Sequence, residues 1–265
     1  MSKYKEKLDN MVYSFSRIHC YETCPYQFYK KYIEEDKSEE SNYYADNGKL
    51  MHAIFERLLK KKITLDEAVV MYEDEYADID FCYDDVRQKI KDQCYESCME
   101  YLTTADEFDF SPYEILGIEK KVKFNIGPHK FIGIIDLLLR DKASQEIIIL
   151  DHKSSTGKIF KKDGSILKSQ AENFTSYKRQ LYLYATGVKD EFGVFPTFLV
   201  WHHFRENGAL TKIRFDQQEY DETIKWAADL IDRIYFDEEF EPTRSYMPCH
   251  VLCGYRNSCE YLDEV

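Results

Sequence analysis

Apolar residues recur at helical spacing over residues 14–33 (SFSRIHCYETCPYQFYKKYI), 48–61 (GKLMHAIFERLLKK), 64–76 and roughly 84–103, so the first half of the chain reads as mainly helical. The period changes at residue 113. YEILGIEKKVKFNI, KFIGIIDLLL and EIIIL followed by DHK are three strand-like runs, separated by the turn-like segments Gly127-Pro-His129 and Arg140-Asp-Lys-Ala-Ser-Gln145. They predict a three-strand meander. A helix over 168–187, a strand over 196–205, a short fifth strand over 209–215 and a helix over 217–236 complete the pattern, ahead of a cysteine-bearing tail. The predicted class is α/β, a small central mixed sheet flanked by helices. No repeat or low-complexity linker interrupts the chain and its six prolines are scattered, so residues 1–265 read as one domain.

Within this pattern Asp136 and Asp151 each sit in an apolar run, GIIDLLL and IIILDHK. Burying ionised carboxylates costs several kcal/mol unless a partner compensates. A hairpin centred on Ala143-Ser144 sets Asp136 opposite Asp151, and one centred on Gly127-Pro128 sets Phe124 opposite Phe131 and Glu119 opposite Asp136. Directly opposed residues on antiparallel strands hold their Cβ atoms about 4.5–5.5 Å apart, which brings three carboxylates to one face. Side chains alternate along a strand, so Lys153 shares the face of Asp151 while His152 points away. A carboxylate row beside a lysine suits Mg²⁺ or Mn²⁺, which prefer oxygen ligands. Metal-bound water made more acidic attacks a phosphodiester, and the lysine orients it or offsets the charge that develops. The plainer alternative is a set of ordinary salt bridges to Lys153, Arg140 or Lys121.

The run G-I-I-D followed by D-H-K at the end of an apolar strand resembles the PD-(D/E)XK nuclease superfamily of the RecB and AddB type. Gly48-Lys-Leu-Met-His52 is similar to that family's upstream G-x-x-x-H helix, and Gln180-Leu-Tyr-Leu-Tyr184 to its downstream Q-x-x-x-Y helix. The resemblance implies a nuclease core with a helical N-terminal half, and a catalytic metal held by His52, Asp136, Asp151 and the backbone carbonyl of His152. It implies Lys153 as the catalytic lysine and Gln180 and Tyr184 in support of the site and the DNA strand. Glu119 is a weaker candidate, as is Glu56, one turn beyond His52.

Eight cysteines in a chain with no visible signal peptide or membrane span read as reduced, structural or metal-binding thiols of a cytoplasmic protein, not as a disulfide framework. Cys249, Cys253 and Cys259 fall within eleven residues, and Cys24-Pro25 lies near the start. Four thiolates accept either zinc or an iron-sulfur cluster. Relatives of the AddB type, and nucleases of CRISPR adaptation, carry one cysteine in a C-P-x-x-[YF] context and three near the C-terminus around a [4Fe-4S] cluster. The resemblance therefore implies that Cys24, Cys249, Cys253 and Cys259 hold such a cluster and join the two ends of the chain. Three residues separate Cys249 from Cys253, one more than the family's usual gap. That departure keeps Cys20 and His250 as alternative ligands and Zn²⁺ as an alternative metal.

A formal charge of −13 disfavours nonspecific coating of nucleic acid, since phosphate binding rests on lysine and arginine, but leaves room for a local basic path. Lys161, Lys162, Lys168, Lys178 and Arg179 are the candidate phosphate contacts, with tyrosines as stacking platforms. The expected activity is a metal-dependent deoxyribonuclease, an exonuclease on single-stranded ends. The chain has no G-x-x-x-x-G-K-[ST], so unwinding would fall to a helicase or recombination partner. The rival readings are a CRISPR-adaptation nuclease that trims DNA before integration and a non-catalytic DNA-binding subunit. The complete His52, Asp136, Asp151 and Lys153 set weighs against the latter.

Overall fold

A computed structural model of the protein describes residues 3–104, 110–155, 159–161 and 165–262. Its helices are α1 (Lys5–Asp9), α2 (Phe15–Thr23), α3 (Pro25–Phe28), α4 (Tyr43–Leu59), α5 (Leu65–Cys82), α6 (Gln88–Thr104), α7 (Ala171–Phe192) and α8 (Gln217–Phe236). The strands are β1 (Tyr113–Ile126), β2 (His129–Asp141), β3 (Ile147–Lys153), β4 (Phe198–His203) and β5 (Ala209–Arg214). They form one five-stranded sheet in the order β1-β2-β3-β4-β5. Strands β2 and β3 pair antiparallel, β3 and β4 parallel through the α7 crossover, and β4 and β5 antiparallel. The sheet is thus mixed, as the strand pattern predicts.

The chain divides into two compact units, one of Met1–Asn42, Lys123–Gly133 and Gln217–Val265, the other of Tyr43–Val122 and Ile134–Asp216. In the second unit, β3 is buried along most of its length and β4 along all but its first residue, which is why both read as near-continuous apolar runs. On one face Leu59 of α4 packs with Leu137, Leu139, Ile148 and Val200. Tyr43, Met51, Phe55, Tyr72, Tyr76 and Tyr101 of α4, α5 and α6 form the adjoining cluster. The other face meets α7, where Phe174 lies edge-on to Trp201 with ring centroids 5.1 Å apart. In the first unit the β1–β2 hairpin tip is held by Tyr13, which exchanges backbone hydrogen bonds with Lys130 and Ile132 and stacks on Phe131.

The observed boundaries shift from the predicted ones at several elements, as where α4 begins at Tyr43 and not at residue 48, and three of the differences have a plain local cause. The helix expected over 14–33 is broken at Cys24, whose backbone is extended (φ −156°, ψ 108°) because Pro25 lacks an N–H and disfavours helical geometry at the residue before it. The chain resumes as α3 and then a π-helical turn at Tyr29–Glu34. Helix α5 runs beyond residue 76 to Cys82 from a capping box, in which Thr64 accepts from Glu67 N and the Glu67 side chain accepts from Thr64 N. Helix α7 opens with a 3₁₀ turn at Lys168–Gln170 and runs past residue 187 to Phe192, where Gly193 takes the left-handed conformation (φ 76°) that stops it.

Candidate active site

The β2–β3 ladder pairs Leu137 with Leu150, Leu138 with Ile149, Leu139 with Ile148 and Arg140 with Ile147, the register of a hairpin centred on Ala143-Ser144. One step further, the Asp136 carboxylate takes the place of a backbone acceptor: its Oδ2 accepts a hydrogen bond from His152 N at 2.7 Å. Asp136 and Asp151 are 8% and 4% exposed. Lys153, on the Asp151 face, places Nζ 2.7 Å from Asp151 Oδ2 and donates to Gln180 Oε1 at 2.9 Å. Gln180 Nε2 donates in turn to the Tyr184 hydroxyl at 3.2 Å, one helical turn along α7. The fold brings Asp136, Asp151, Lys153, Gln180 and Tyr184 together on the face of the sheet that α7 covers.

His52 enters from α4. Its Nε2 lies 3.1 Å from the His152 carbonyl oxygen, and its Nδ1 lies 3.6 Å from Asp136 Oδ2 and 4.0 Å from Glu119 Oε1. One ligand atom from each of His52, Glu119 and Asp136 falls within 4.8 Å of the others, a spacing that one cation spans. Glu119 thus joins the centre of the cluster. Its backbone is left-handed (φ 49°), which a non-glycine residue adopts at a cost of roughly 1–3 kcal/mol, and such strain concentrates at functional sites. The kink depends on Gly117, since a Cβ there would come within 2.6 Å of Lys120 Cβ. Glu56 pairs instead with Lys60 along α4.

The His152 side chain points to the opposite face, as strand alternation requires. It stacks on Phe55 at 4.5 Å, and its Nδ1 lies 2.8 Å from His202 Nδ1. Burial, then the neighbouring His202, pushes its pKa well below the usual value, so a neutral ring backs β3. On the cluster side, burial and then Asp151 push the Asp136 carboxyl up to about 7, against the pull of His52. Burial disfavours charge on His52, but the contact with Glu119 and the Asp136 and Asp151 carboxylates outweigh it and raise its pKa. Burial likewise opposes the charge on Lys153, and Asp151 overcomes it. Burial first, and the Asp151 charge beside it, make the ionised form of Asp136 costly, a condition that a divalent cation relieves. The cluster's oxygen-rich, one-nitrogen donor set fits Mg²⁺ or Mn²⁺.

Of the basic residues, Lys178 and Arg179 lie on α7 just before Gln180, with Lys178 Nζ 5.8 Å from the Phe174 ring. Lys168 opens the 3₁₀ turn and Lys161 hydrogen-bonds through its backbone to Ser165; Lys162 lies outside the described residues. Tyr177, absent from the sequence motifs, brings its ring centroid to 4.6 Å from Lys153 Nζ. The available signal was its position three residues before Gln180 on one helix face.

In the first unit, Cys24, Cys249, Cys253 and Cys259 line one small cavity with Lys30, Pro242, Thr243 and Tyr255, among others. Cys20 and His250 are absent from its described lining. Cys249 sits in a π-helical turn, Met247–Leu252, closed by Cys253 N donating to Pro248 O at 2.8 Å. The π turn carries the three residues between Cys249 and Cys253. Backbone N–H groups of Thr243 and Tyr255 lie 3.5 and 3.4 Å from the sulfurs of Cys24 and Cys253, a donor arrangement that suits thiolates holding a metal centre. Burial raises the Cys253 thiol to about 11 and Cys20 to about 12.

A model of the PD-(D/E)XK nuclease superfamily matches residues 12–260. Among solved structures, a protein of Eubacterium rectale described as a "putative exonuclease" is similar in fold, with a TM-score of 0.54 at 14% identity, over 99% of this chain and 90% of that one. No curated protein matches the sequence. Among the described residues no helix is long and apolar enough to cross a membrane.

Proposed function

Because the chain belongs to the PD-(D/E)XK nuclease superfamily, we propose that it is a divalent-cation-dependent deoxyribonuclease of the RecB and AddB type, acting on single-stranded DNA from free ends. The observation that carries the reading is the convergence of Asp136, Asp151 and Lys153 with His52 and Glu119. His52, Glu119, Asp136, Asp151 and the His152 carbonyl are the residues that would hold Mg²⁺ or Mn²⁺. A bound cation supplies a more acidic water and offsets charge on the phosphate. Lys153, held by Gln180, which Tyr184 contacts in turn, would present its ammonium to a non-bridging oxygen of the attacked phosphate and offset the negative charge that grows there. The neutral, buried His152–His202 pair fixes the strand from behind.

Action from ends is supported by the description of the Eubacterium rectale neighbour, and single-strand preference by the four motifs shared with the RecB and AddB type. Digestion of DNA labelled at either end, single- and double-stranded, with Mg²⁺, Mn²⁺ or EDTA tests all of this together. Short end products from single strands in metal alone are expected. Metal-independent cleavage, or none on any DNA, would overturn the reading.

The cysteine cavity is assigned a [4Fe-4S] cluster on Cys24, Cys249, Cys253 and Cys259, a reading supported by their shared lining and the π turn that accommodates the longer gap. Protein purified without oxygen should be brown and carry iron and acid-labile sulfide, and Cys253→Ser should lower both. Stoichiometric zinc without sulfide would replace the cluster with a zinc centre.

A further inference from the structure

We propose that Tyr177 is a positioning residue for the catalytic lysine: its ring face holds the Lys153 ammonium in place when the Asp151 carboxylate turns to a metal ion. The inference rests on the nuclease reading for its kinetic consequences only. Among the described residues, three groups lie against Lys153 Nζ: Asp151 Oδ2 at 2.7 Å, Gln180 Oε1 at 2.9 Å and the Tyr177 ring, centroid at 4.6 Å. A lysine is a point charge on a flexible four-carbon stem, so its place is set by what surrounds it. Asp151 is claimed twice, by the lysine and by the candidate metal set. A carboxylate that commits to a divalent cation has less charge to give the ammonium, and two partners then remain.

Both remaining partners come from one face of α7. Tyr177, Gln180 and Tyr184 stand at i, i+3 and i+7, and Gln180 is itself held by the Tyr184 hydroxyl. Tyr177 follows a firmly anchored turn, since Phe174 is buried against Trp201 and Phe160. The centroid distance is within the roughly 6 Å over which an aromatic face attracts a cation, and the attraction strengthens where water is excluded, as at the largely buried Lys153. The contact uses the ring face, so the phenolic hydroxyl is dispensable. A displacement of about 1 Å at a reacting group is enough to cost a large rate factor.

The test compares Tyr177→Phe, which keeps the face, with Tyr177→Leu, which keeps bulk and removes it. Tyr177→Leu should lower kcat about ten-fold, equal to about 1.4 kcal/mol, with KM for DNA and the Mn²⁺ dependence unchanged. Tyr177→Phe should stay within about two-fold of wild type, as a ring that loses only its hydroxyl keeps its attraction for the cation. A second readout does not need activity: acetic anhydride labelling of Lys153 in the Mn²⁺-loaded protein, read by mass spectrometry. Labelling should rise several-fold in Tyr177→Leu and match wild type in Tyr177→Phe, because an ammonium held against a ring is less available to the reagent. Wild-type kcat and labelling in Tyr177→Leu, or equal impairment in the two variants, would overturn the proposal. If the wild-type protein cleaves no DNA, the nuclease reading fails and the labelling alone decides for or against Tyr177.

Discussion

Replacing Lys153 with alanine is expected to lower DNA cleavage by about a thousand-fold or more, and Asp151→Ala to do the same, with the helix and sheet signature unchanged by circular dichroism. Removing one group aimed at charge developing in the transition state costs about 10²–10³ in rate. Lys153 also fixes the distribution of charge in the cluster, so the loss should reach or exceed the upper end. The two variants differ in stability. Lys153→Ala leaves Asp151, 4% exposed, without its cation, and an uncompensated buried charge destabilises by about 3–5 kcal/mol. Its melting temperature should fall in EDTA and recover in excess Mg²⁺, while cleavage stays lost in both. Asp151→Ala frees the lysine to reach water along its flexible stem and should melt closer to wild type. Cleavage at wild-type rates by either variant would remove the residue from the active site.

Replacing Asp136 with asparagine should raise the metal-free stability of the protein at pH 8 while abolishing cleavage. The Asp136 carboxyl is pushed up to about 7 in the folded chain, above an unfolded value of about 3.9. The folded state therefore holds the extra proton between those values, and stability falls as pH rises from about 4 to about 7. The deficit is fully present above that window. Asparagine cannot ionise, and its side-chain oxygen can still accept from His152 N, so the variant escapes the loss. His52 loses one of the carboxylates that raise its pKa, which reduces the gain. A rise of about 2–5 °C in EDTA at pH 8, shrinking toward pH 5, is expected. Added Mn²⁺ should stabilise wild type by mass action and the variant far less. A lower melting temperature for Asp136→Asn at pH 8 in EDTA would contradict a site in which burial and the Asp151 charge make the Asp136 carboxylate costly.

Much of this site was legible because β-strand alternation is strict. Once the hairpin was centred on Ala143-Ser144, the Leu137↔Leu150 ladder and the shared face of Asp151 and Lys153 followed. The α8 boundaries were equally open, since apolar spacing and polar flanks agree there. The break at Cys24-Pro25 was written in the proline but hidden by helical periodicity on both sides. Glu119 carries little signal in the sequence, because its direction depends on a left-handed backbone that only Gly117, a glycine inside a strand, hints at. Tyr177 was invisible for another reason. Its partner lies on a different element, and which of 22 tyrosines meets Lys153 depends on the seating of α7 against the sheet.

The central claim is that one cluster, His52, Glu119, Asp136 and Asp151, binds the cation on which cleavage depends. The most direct measurement is a Mn²⁺ titration by electron paramagnetic resonance, run alongside cleavage of a labelled single strand at the same metal concentrations, for wild type and Asp136→Asn. The account predicts that metal occupancy and cleavage rise together in wild type, and that the variant loses both over that range. Undiminished Mn²⁺ binding by Asp136→Asn, or wild-type cleavage that persists in EDTA, would contradict it.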